Sequence, residues 1–240
     1  MNQRIAVVTN VLDYAGPPVV AALTAQGVVT ICHSDDFRHA GARTAYMDSY
    51  PDCIASPAHT PEGLVAEAVA RFGRVDVAIS NDIGDLREGE FTERTADDFR
   101  DLLEAFAIHP ARLAMAAAPP MREQGGGVIL FVTSGAPLAT SSGMSIYGAS
   151  RAAANALVRS LARELGPDGI SVNAVAPFFL DSNYLPNGMD DPMVAERVRS
   201  SVPLQRLGRP EEIGALISLL VSGQVNFVSG QVIAFSGGGV

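Results

Sequence analysis

The chain has 240 residues, of which 48% are hydrophobic and 18% are charged, a composition typical of a folded protein with a large buried core. A chain of this length can form one α/β domain, so we predict a single domain over residues 1–240. The formal net charge of -9 argues against a nucleic-acid partner, because proteins bind phosphate backbones through clustered Lys and Arg side chains. A small molecule is therefore the expected ligand.

Short β-branched runs alternate along the chain with longer segments of helical periodicity. The runs that predict strands are RIAVVT at 4–9, VVTIC at 28–32, VDVAIS at 75–80, GVILFVT at 127–133, ISVNAVA at 170–176 and QVIAF at 231–235. The segments that predict helices are 15–27, 60–73, 95–121, 145–166 and 209–223. The strands are apolar throughout, as expected where helices cover both faces of a sheet. The pattern therefore predicts a Rossmann-like α/β fold with a doubly wound parallel sheet.

The turn after the first strand lacks most of the features that bind a dinucleotide. Such a turn uses glycines to let the backbone approach the pyrophosphate, and free N–H groups at the start of the next helix. Here Asn10 and Tyr14 carry side chains where the phosphates would approach. Pro17 and Pro18 remove two backbone donors, and only Gly16 keeps the glycine pattern. We therefore predict that the protein has no nucleotide cofactor.

An altered turn that still binds a nucleotide is the alternative interpretation. Asp35 or Asp36 favours it, because a ribose-binding acid is expected about twenty residues after such a turn.

Three polar residues with catalytic potential follow the strand predicted at 127–133. Ser134 comes directly after this strand, while Tyr147 and Arg151 are four residues apart and share one face of the next helix. An ordinary phenol has a pKa of about 10 and is a poor base at neutral pH, but a nearby guanidinium lowers that pKa. The pattern predicts Tyr147 as general base, Arg151 as the group that lowers the tyrosine pKa, and Ser134 as the hydroxyl that orients a substrate oxygen.

Metal binding and export are not supported by the sequence. His33, His39, His59 and His109 lack metal-ligand spacing, so we expect structural or surface roles for them and no metal site. The two cysteines lie in separate segments and do not resemble a disulfide framework. No secretory leader precedes the first strand, and no apolar stretch reaches the length of a membrane span. We expect a cytoplasmic protein.

The catalytic pattern resembles that of the short-chain dehydrogenases/reductases, and the resemblance covers nearly the whole chain. That family uses Ser, Tyr and Lys, whereas Arg151 occupies the Lys position here. The segment at 106–108 also has no counterpart of the Asn that relays protons in many members.

These departures resemble the halohydrin dehalogenases, a cofactor-free branch with a Ser, Tyr, Arg triad and a T-x4-[FY]-x-G turn. The triad matches Ser134, Tyr147 and Arg151, and the turn matches Thr9, Tyr14 and Gly16. The segments SND at 80–82 and PLQRLGRPEEIGALI at 203–217 are also similar to this branch, although many reductases share the second.

The resemblance implies that a vicinal haloalcohol closes to an epoxide with release of halide, and that small anions open epoxides in the reverse reaction. It also implies a halide pocket between the turn and the irregular segment at 176–192, which we expect to lie over the site. The residues matching this pocket are Tyr14, Pro177, Phe178, Phe179 and Leu180, with Leu185 at its rim. Many relatives have Asn at the position of Phe178.

Two other functional classes remain open, an NAD(P)-dependent oxidoreductase and a non-catalytic scaffold that keeps the fold as an oligomer. The retained triad argues against a scaffold, and Tyr14 with its neighbouring prolines argues against an oxidoreductase. Relatives of this fold assemble as tetramers through long helices. The apolar segments 95–121 and 145–165 therefore predict a homotetramer, although Leu157 and Leu161 could equally belong to the core.

Overall fold

The computed structural model describes residues 3–86, 88–139, 142–182 and 191–240. The strands are β1 (Ile5–Val8), β2 (Val29–Cys32), β3 (Cys53–Ala55), β4 (Val77–Ser80), β5 (Gly127–Val132), β6 (Ile170–Pro177) and β7 (Val232–Phe235). The α-helices in these ranges are α1 (Gly16–Ala25), α2 (Ala40–Ser49), α3 (Pro61–Phe72), α4 (Ala96–Leu103), α5 (His109–Glu123), α6 (Ser145–Leu165), α7 (Pro192–Ser200) and α8 (Pro210–Val221).

All seven strands pair in parallel in the order β3-β2-β1-β4-β5-β6-β7. The connection from β3 to β4 carries the chain from one half of the sheet to the other, so the strand order reverses between the neighbouring strands β1 and β4. At such a switch point the loops leaving the two strands diverge and open a crevice at their carboxyl ends. The predicted doubly wound parallel sheet is confirmed, and its crevice lies beside the turn analysed above.

Each face of the sheet has its own hydrophobic core. On one face, α1 and α8 pack together over strand residues that include Val8 and Leu130. On the other face, α3, α5 and α6 cover Val7 and Ile129. Neighbouring residues of one strand therefore point into opposite cores, which is why the strands are continuous apolar runs.

The sequence analysis missed β3, α2 and α7. β3 is only 3 residues long, which gives no measurable alternation. Tyr46 is the buried residue of α2 and Ala195 that of α7, so neither helix shows a periodic apolar face. In the described ranges, no helix is long and apolar enough to cross a membrane.

The helix predicted over 95–121 is divided in the structure. α4 is followed by a π-helical turn over Glu104–Ile108, in which the N–H of His109 donates to the carbonyl of Glu104. Pro110 explains the wider turn, because its ring lacks an N–H group and collides with the carbonyl four residues earlier. The bulge rotates the preceding residues relative to α5, and it faces the candidate active site.

Candidate active site

The turn between β1 and α1 keeps a glycine-type backbone although two of its residues are not glycine. Asn10 and Tyr14 have φ angles of 48° and 52°, in the left-handed region that most side chains avoid. Gly16 is required for a different reason, because a Cβ atom on it would lie 2.6 Å from the carbonyl oxygen of Asn10. The turn thus has the shape of a nucleotide-binding turn but is filled with side chains.

The start of α1 has few donors for a phosphate group. The N–H of Gly16 already donates to the carbonyl of Asp13 at 2.8 Å. Pro17 and Pro18 have no N–H, and the N–H of Val19 donates within the first turn of the helix at 3.1 Å. A pyrophosphate needs several unpaired N–H groups at this position, so these residues do not fit a dinucleotide.

Asn81 and Asp82, which follow β4, hold the turn from the side of the sheet. The side-chain amide of Asn81 donates to the carbonyls of Asn10 at 2.8 Å and Asp13 at 2.9 Å. The carboxylate of Asp82 accepts from the Thr9 hydroxyl at 3.0 Å and from the Asn10 amide at 3.3 Å. The sequence analysis noticed these two residues only through a resemblance, because their contacts to the turn depend on the pairing of β1 with β4.

His109 reaches the same carboxylate from the start of α5. Its Nδ1 atom lies 2.7 Å from Oδ1 of Asp82, which is buried. Burial alone would lower the pKa of His109, but the hydrogen bond and the negative charge of Asp82 outweigh this effect and raise the pKa. A protonated His109 would neutralise the buried carboxylate beneath the turn.

Tyr147 and Arg151 form the predicted pair on α6. Both are buried, and Nε of Arg151 donates to the phenol oxygen of Tyr147 at 3.2 Å. The terminal nitrogens of Arg151 donate to the carbonyls of Val132 at 3.4 Å and Asp82 at 3.3 Å. The guanidinium is thus held between α6 and the ends of two strands, with its charge where a phenolate would form.

Ser134 lies two residues beyond the end of β5. Its Oγ atom accepts a hydrogen bond from the N–H of Ala136 at 3.1 Å. This bond uses an oxygen lone pair and leaves the hydroxyl hydrogen able to donate to a ligand. Ser134 and Tyr147 line one cavity, the first from the strand end and the second from the helix.

This cavity has a volume of about 340 Å³ and is lined mainly by apolar side chains, as is usual for small-molecule sites. The predicted site residues that line it are Tyr14, Ser134, Tyr147, Arg151, Phe178, Phe179 and Leu180. The lining residues that the sequence analysis missed are Ile83, Gly84, Leu86, Glu88, Phe106, Ala136, Ala139, Ser142, Met144 and Val198. These residues come from several loops and helices, and no local spacing marks them as neighbours.

Tyr14 brings a second phenol to the cavity. Burial and the neighbouring Tyr147 raise the pKa of Tyr14 above its ordinary value, and the opposing effect of Arg151 is smaller. Tyr14 therefore keeps its proton near neutral pH. The guanidinium of Arg151 donates a hydrogen bond to the phenol oxygen of Tyr147.

The backbone after β6 presents two N–H groups next to each other. The N–H groups of Phe178 and Asp181 pair with carbonyls of neighbouring segments at 3.1 Å and 2.9 Å. The intervening N–H groups of Phe179 and Leu180 have no acceptor within the part of the chain that the structure describes. Both residues line the cavity.

One of the predicted pocket residues is not a lining residue of the cavity, and another cannot be placed because it lies outside the described residues. Pro177 ends β6, and its carbonyl accepts from the N–H of Gly135 at 2.7 Å, but it is not a lining residue. Leu185 lies outside the described residues. The rings of Phe178 and Phe179 lie with their centroids 4.3 Å apart and together form an aromatic wall.

A second cleft, of about 270 Å³, lies beside Asn10 and Asp82 and is more polar. It is lined by His33, His59, His109, Asp35, Asp101 and Glu104. Burial lowers the pKa of His33, which is therefore neutral near pH 7. Among the described residues, no group of three or more His, Cys, Asp or Glu side chains is arranged to hold a metal ion.

Comparison with known proteins agrees with the fold. The family model described as "Enoyl-(Acyl carrier protein) reductase" matches residues 37–239. The 7alpha-hydroxysteroid dehydrogenase of Escherichia coli is 35% identical over 173 residues, which make up 72% of this chain and 67% of that protein. The chain belongs to the short-chain dehydrogenase/reductase family.

Two solved structures with dehalogenase names share the fold over nearly all of this chain. A "dehalogenation enzyme" superposes with a TM-score of 0.95 at 36% identity and covers 100% of this chain and 99% of its own. A halohydrin dehalogenase bound to ethyl (2S)-oxiran-2-ylacetate superposes with a TM-score of 0.94 at 34% identity, and the match covers 98% of this chain and 96% of that one. The predicted resemblance to the halohydrin dehalogenases is confirmed.

Proposed function

We propose that this protein converts vicinal haloalcohols to epoxides with release of halide, and opens epoxides with small anions in the reverse direction. It does so as a carbon-halide lyase without a nicotinamide cofactor. The observation that carries the proposal is the turn at 9–16, from which Tyr14 lines the same cavity as Tyr147. A hydride carrier would need the space that Tyr14 fills and the phosphate donors that the start of α1 lacks.

The chemistry requires a base, an oxygen clamp and a place for the leaving group. The hydroxyl of Ser134 donates a hydrogen bond to the oxygen of the substrate hydroxyl. Tyr147 takes the proton of the substrate hydroxyl. The resulting alkoxide attacks the adjacent carbon from the side opposite the halogen. The new carbon–oxygen bond closes the epoxide ring while the carbon–halogen bond breaks and its electron pair leaves with the halide.

Arg151 makes Tyr147 competent as the base. Its Nε atom donates to the phenol oxygen, so its charge stabilises the phenolate that accepts the substrate proton. No hydride moves, so the residue at the position occupied by Lys in the reductases serves to stabilise the phenolate and not to hold a nucleotide. The wall of mostly apolar side chains excludes water, which strengthens the effect.

A halide is large and weakly hydrated, so backbone N–H groups and the positive edges of aromatic rings can hold it without a full positive charge. Phe179 and Leu180 supply two unpaired N–H groups within the described ranges. Tyr14 and Phe178 supply rings at the same cavity. We assign the halide to this wall, where weak binding lets the product leave.

The comparisons support two different functions. The epoxide-containing ligand named for the halohydrin dehalogenase supports a haloalcohol or epoxide substrate. The sequence relatives named as dehydrogenases support an NAD(P)-dependent oxidoreductase as the second candidate. The turn and the start of α1 favour the first function, since both conflict with a bound dinucleotide.

Product analysis and calorimetry separate these candidates. We expect one halide and one epoxide for each haloalcohol consumed, with the same rate in the presence and absence of NADH or NADPH. We also expect no saturable heat for either nucleotide at about 1 mM. A ketone product, or a micromolar dissociation constant for one nucleotide, would identify an oxidoreductase instead.

We further propose that the protein is a cytoplasmic homotetramer. Exposed apolar side chains on the outer helices support the assembly, among them Met115 on α5 at 71% exposure and Leu219 on α8 at 46%. Leu157 and Leu161 are partly buried against the core and do not contribute to this argument. Light scattering at micromolar concentration tests the proposal, and a monomer mass contradicts it.

A further inference from the structure

The ring of Phe106 lies against both members of the Tyr147–Arg151 pair. Its centroid is 3.8 Å from Cζ of Arg151, and it meets the ring of Tyr147 edge to face with centroids 5.3 Å apart. All three side chains are buried, and Phe106 is only 1% exposed. We infer that Phe106 is a positioning residue that holds the guanidinium of Arg151 against the phenol of Tyr147. This inference rests on the proposed function and extends it.

The hydrogen bonds of Arg151 do not by themselves hold its guanidinium firmly in place. Its three bonds, to Tyr147, Val132 and Asp82, are 3.2 Å, 3.4 Å and 3.3 Å long. N–H···O bonds in proteins are usually about 2.7–3.2 Å long, so these three lie at or beyond the long end of the range and restrain the group only loosely. The donors of a guanidinium also lie in its plane, and they resist movement out of that plane poorly. The face of Phe106 restrains this movement, and the attraction is strongest where water is excluded.

The fold fixes the ring in this position. Phe106 belongs to the π-helical turn that precedes Pro110, so the bulge sets the direction in which its side chain points. A Cβ atom on Gly84 would lie 3.0 Å from Cζ of Phe106, so glycine at this position leaves room for the ring. Leu102 and Ile146 belong to the same buried cluster. The ring therefore has little freedom to follow Arg151 if the guanidinium moves.

The substitution Phe106→Leu tests this role, because leucine keeps an apolar side chain of similar size but has no aromatic face. We expect kcat to fall about tenfold with KM changed less than about twofold, the size of effect expected for one buried cation–π contact. The acidic limb of the pH–rate profile should move to higher pH, since a displaced guanidinium stabilises the phenolate less. Phe106→Met serves as a second variant of similar volume, in case the first folds poorly.

Phe37→Leu is the matched control. Phe37 is also 1% exposed and has a ring partner, Tyr46, at 5.0 Å, but it is not a lining residue of the cavity. This variant should lose thermal stability while keeping the pH–rate profile of the unaltered protein. In an Arg151→Lys background, Phe106→Leu should lower kcat by less than about threefold, because the planar guanidinium that the ring restrains is gone.

A second readout does not depend on any substrate. Tyrosinate absorbance, taken as the difference from the Tyr147→Phe protein, should appear at higher pH in Phe106→Leu than in the unaltered protein. If the folded Phe106 variants keep both the pH–rate limb and this titration unchanged, the positioning role is wrong. If the unaltered protein releases no halide from any haloalcohol, the proposed function fails, but the titration still decides the role of Phe106.

Discussion

Arg151 lies one turn after Tyr147 on α6, and its Nε atom donates a hydrogen bond to the phenol oxygen of Tyr147 at 3.2 Å. The same guanidinium reaches the backbone carbonyls of Val132 and Asp82, so one planar group connects the base to two strand ends. A lysine ammonium is a point charge on a flexible stem and cannot reproduce this fork. Catalysis should therefore depend on the shape of the cationic side chain at this position as well as on its charge.

Arg151→Lys should retain more activity than Arg151→Gln. Lysine still supplies a positive charge near Tyr147, whereas glutamine supplies none and leaves the phenol without its stabilising partner. We also expect the optimum of the pH–rate profile to move in the lysine variant, because the charge lies at a different distance from the phenol oxygen. Initial rates of halide release across the pH range test both expectations. Equal activity of the two variants would show that the charge of Arg151 is not used.

Tyr147→Phe should abolish dehalogenation, and Ser134→Ala should reduce kcat about a hundredfold. The first change removes the base, and the second removes the hydroxyl that orients the substrate oxygen. Tyr50→Phe is a control for loss of a phenol, since Tyr50 packs near Tyr46 and is not a lining residue of the cavity. Near-normal turnover in Tyr147→Phe would remove this residue from the mechanism.

Tyr14→Ala should weaken the binding of halide. Tyr14 lines the same cavity as Phe179 and Leu180, so we expect removal of its ring to open the halide wall to water. We expect bromide to inhibit the forward reaction competitively at millimolar concentration, with an inhibition constant that rises about fivefold in the variant. Initial rates at several bromide concentrations give both constants. An unchanged constant would mean that Tyr14 does not contact the halide.

His109 should make stability depend on pH. Asp82 raises the pKa of His109 in the folded protein, so the folded state favours protonated His109. This contribution to the free energy of unfolding is fully present below the ordinary pKa of about 6.5, and it is lost as the pH rises through the folded-state pKa.

The melting temperature of the unaltered protein should accordingly exceed that of His109→Gln by more at about pH 6 than at about pH 9. His59→Gln is the control, because His59 is exposed. His33 has the opposite effect on stability, because burial and the neighbouring His109 lower its pKa. A difference in melting temperature that is the same at both pH values would show that the ion pair with Asp82 does not form.

The sequence was most informative where function depends on local spacing. Tyr147 and Arg151 lie one helical turn apart, so a helix brings them together whatever surrounds it. The turn at 9–16 could also be interpreted directly, because Tyr14, Pro17 and Pro18 stand where glycines and free N–H groups are required. The alternation of apolar strands and helices likewise predicted the parallel sheet.

Contacts between distant segments could not be predicted in this way. The hydrogen bonds of Asp82 to Thr9 and His109 depend on which strands are neighbours and on where α5 begins. Phe106 gave no signal beyond the absence of an Asn in its segment, since its position over Arg151 depends on a π-helical turn inside a segment predicted as one helix. β3 was missed because a strand of 3 residues is too short to show a pattern.

The central claim is that the cavity dehalogenates haloalcohols without a cofactor, and halide release measures it most directly. Purified protein, free of added nucleotide, is incubated with a small panel of vicinal chloro- and bromoalcohols, and halide is followed over time. Tyr147→Phe is run in parallel to correct for spontaneous ring closure. The account predicts saturable, multiple-turnover halide release by the unaltered protein and only background release by the variant. Halide release that never exceeds the background of Tyr147→Phe, for any member of the panel, would contradict it.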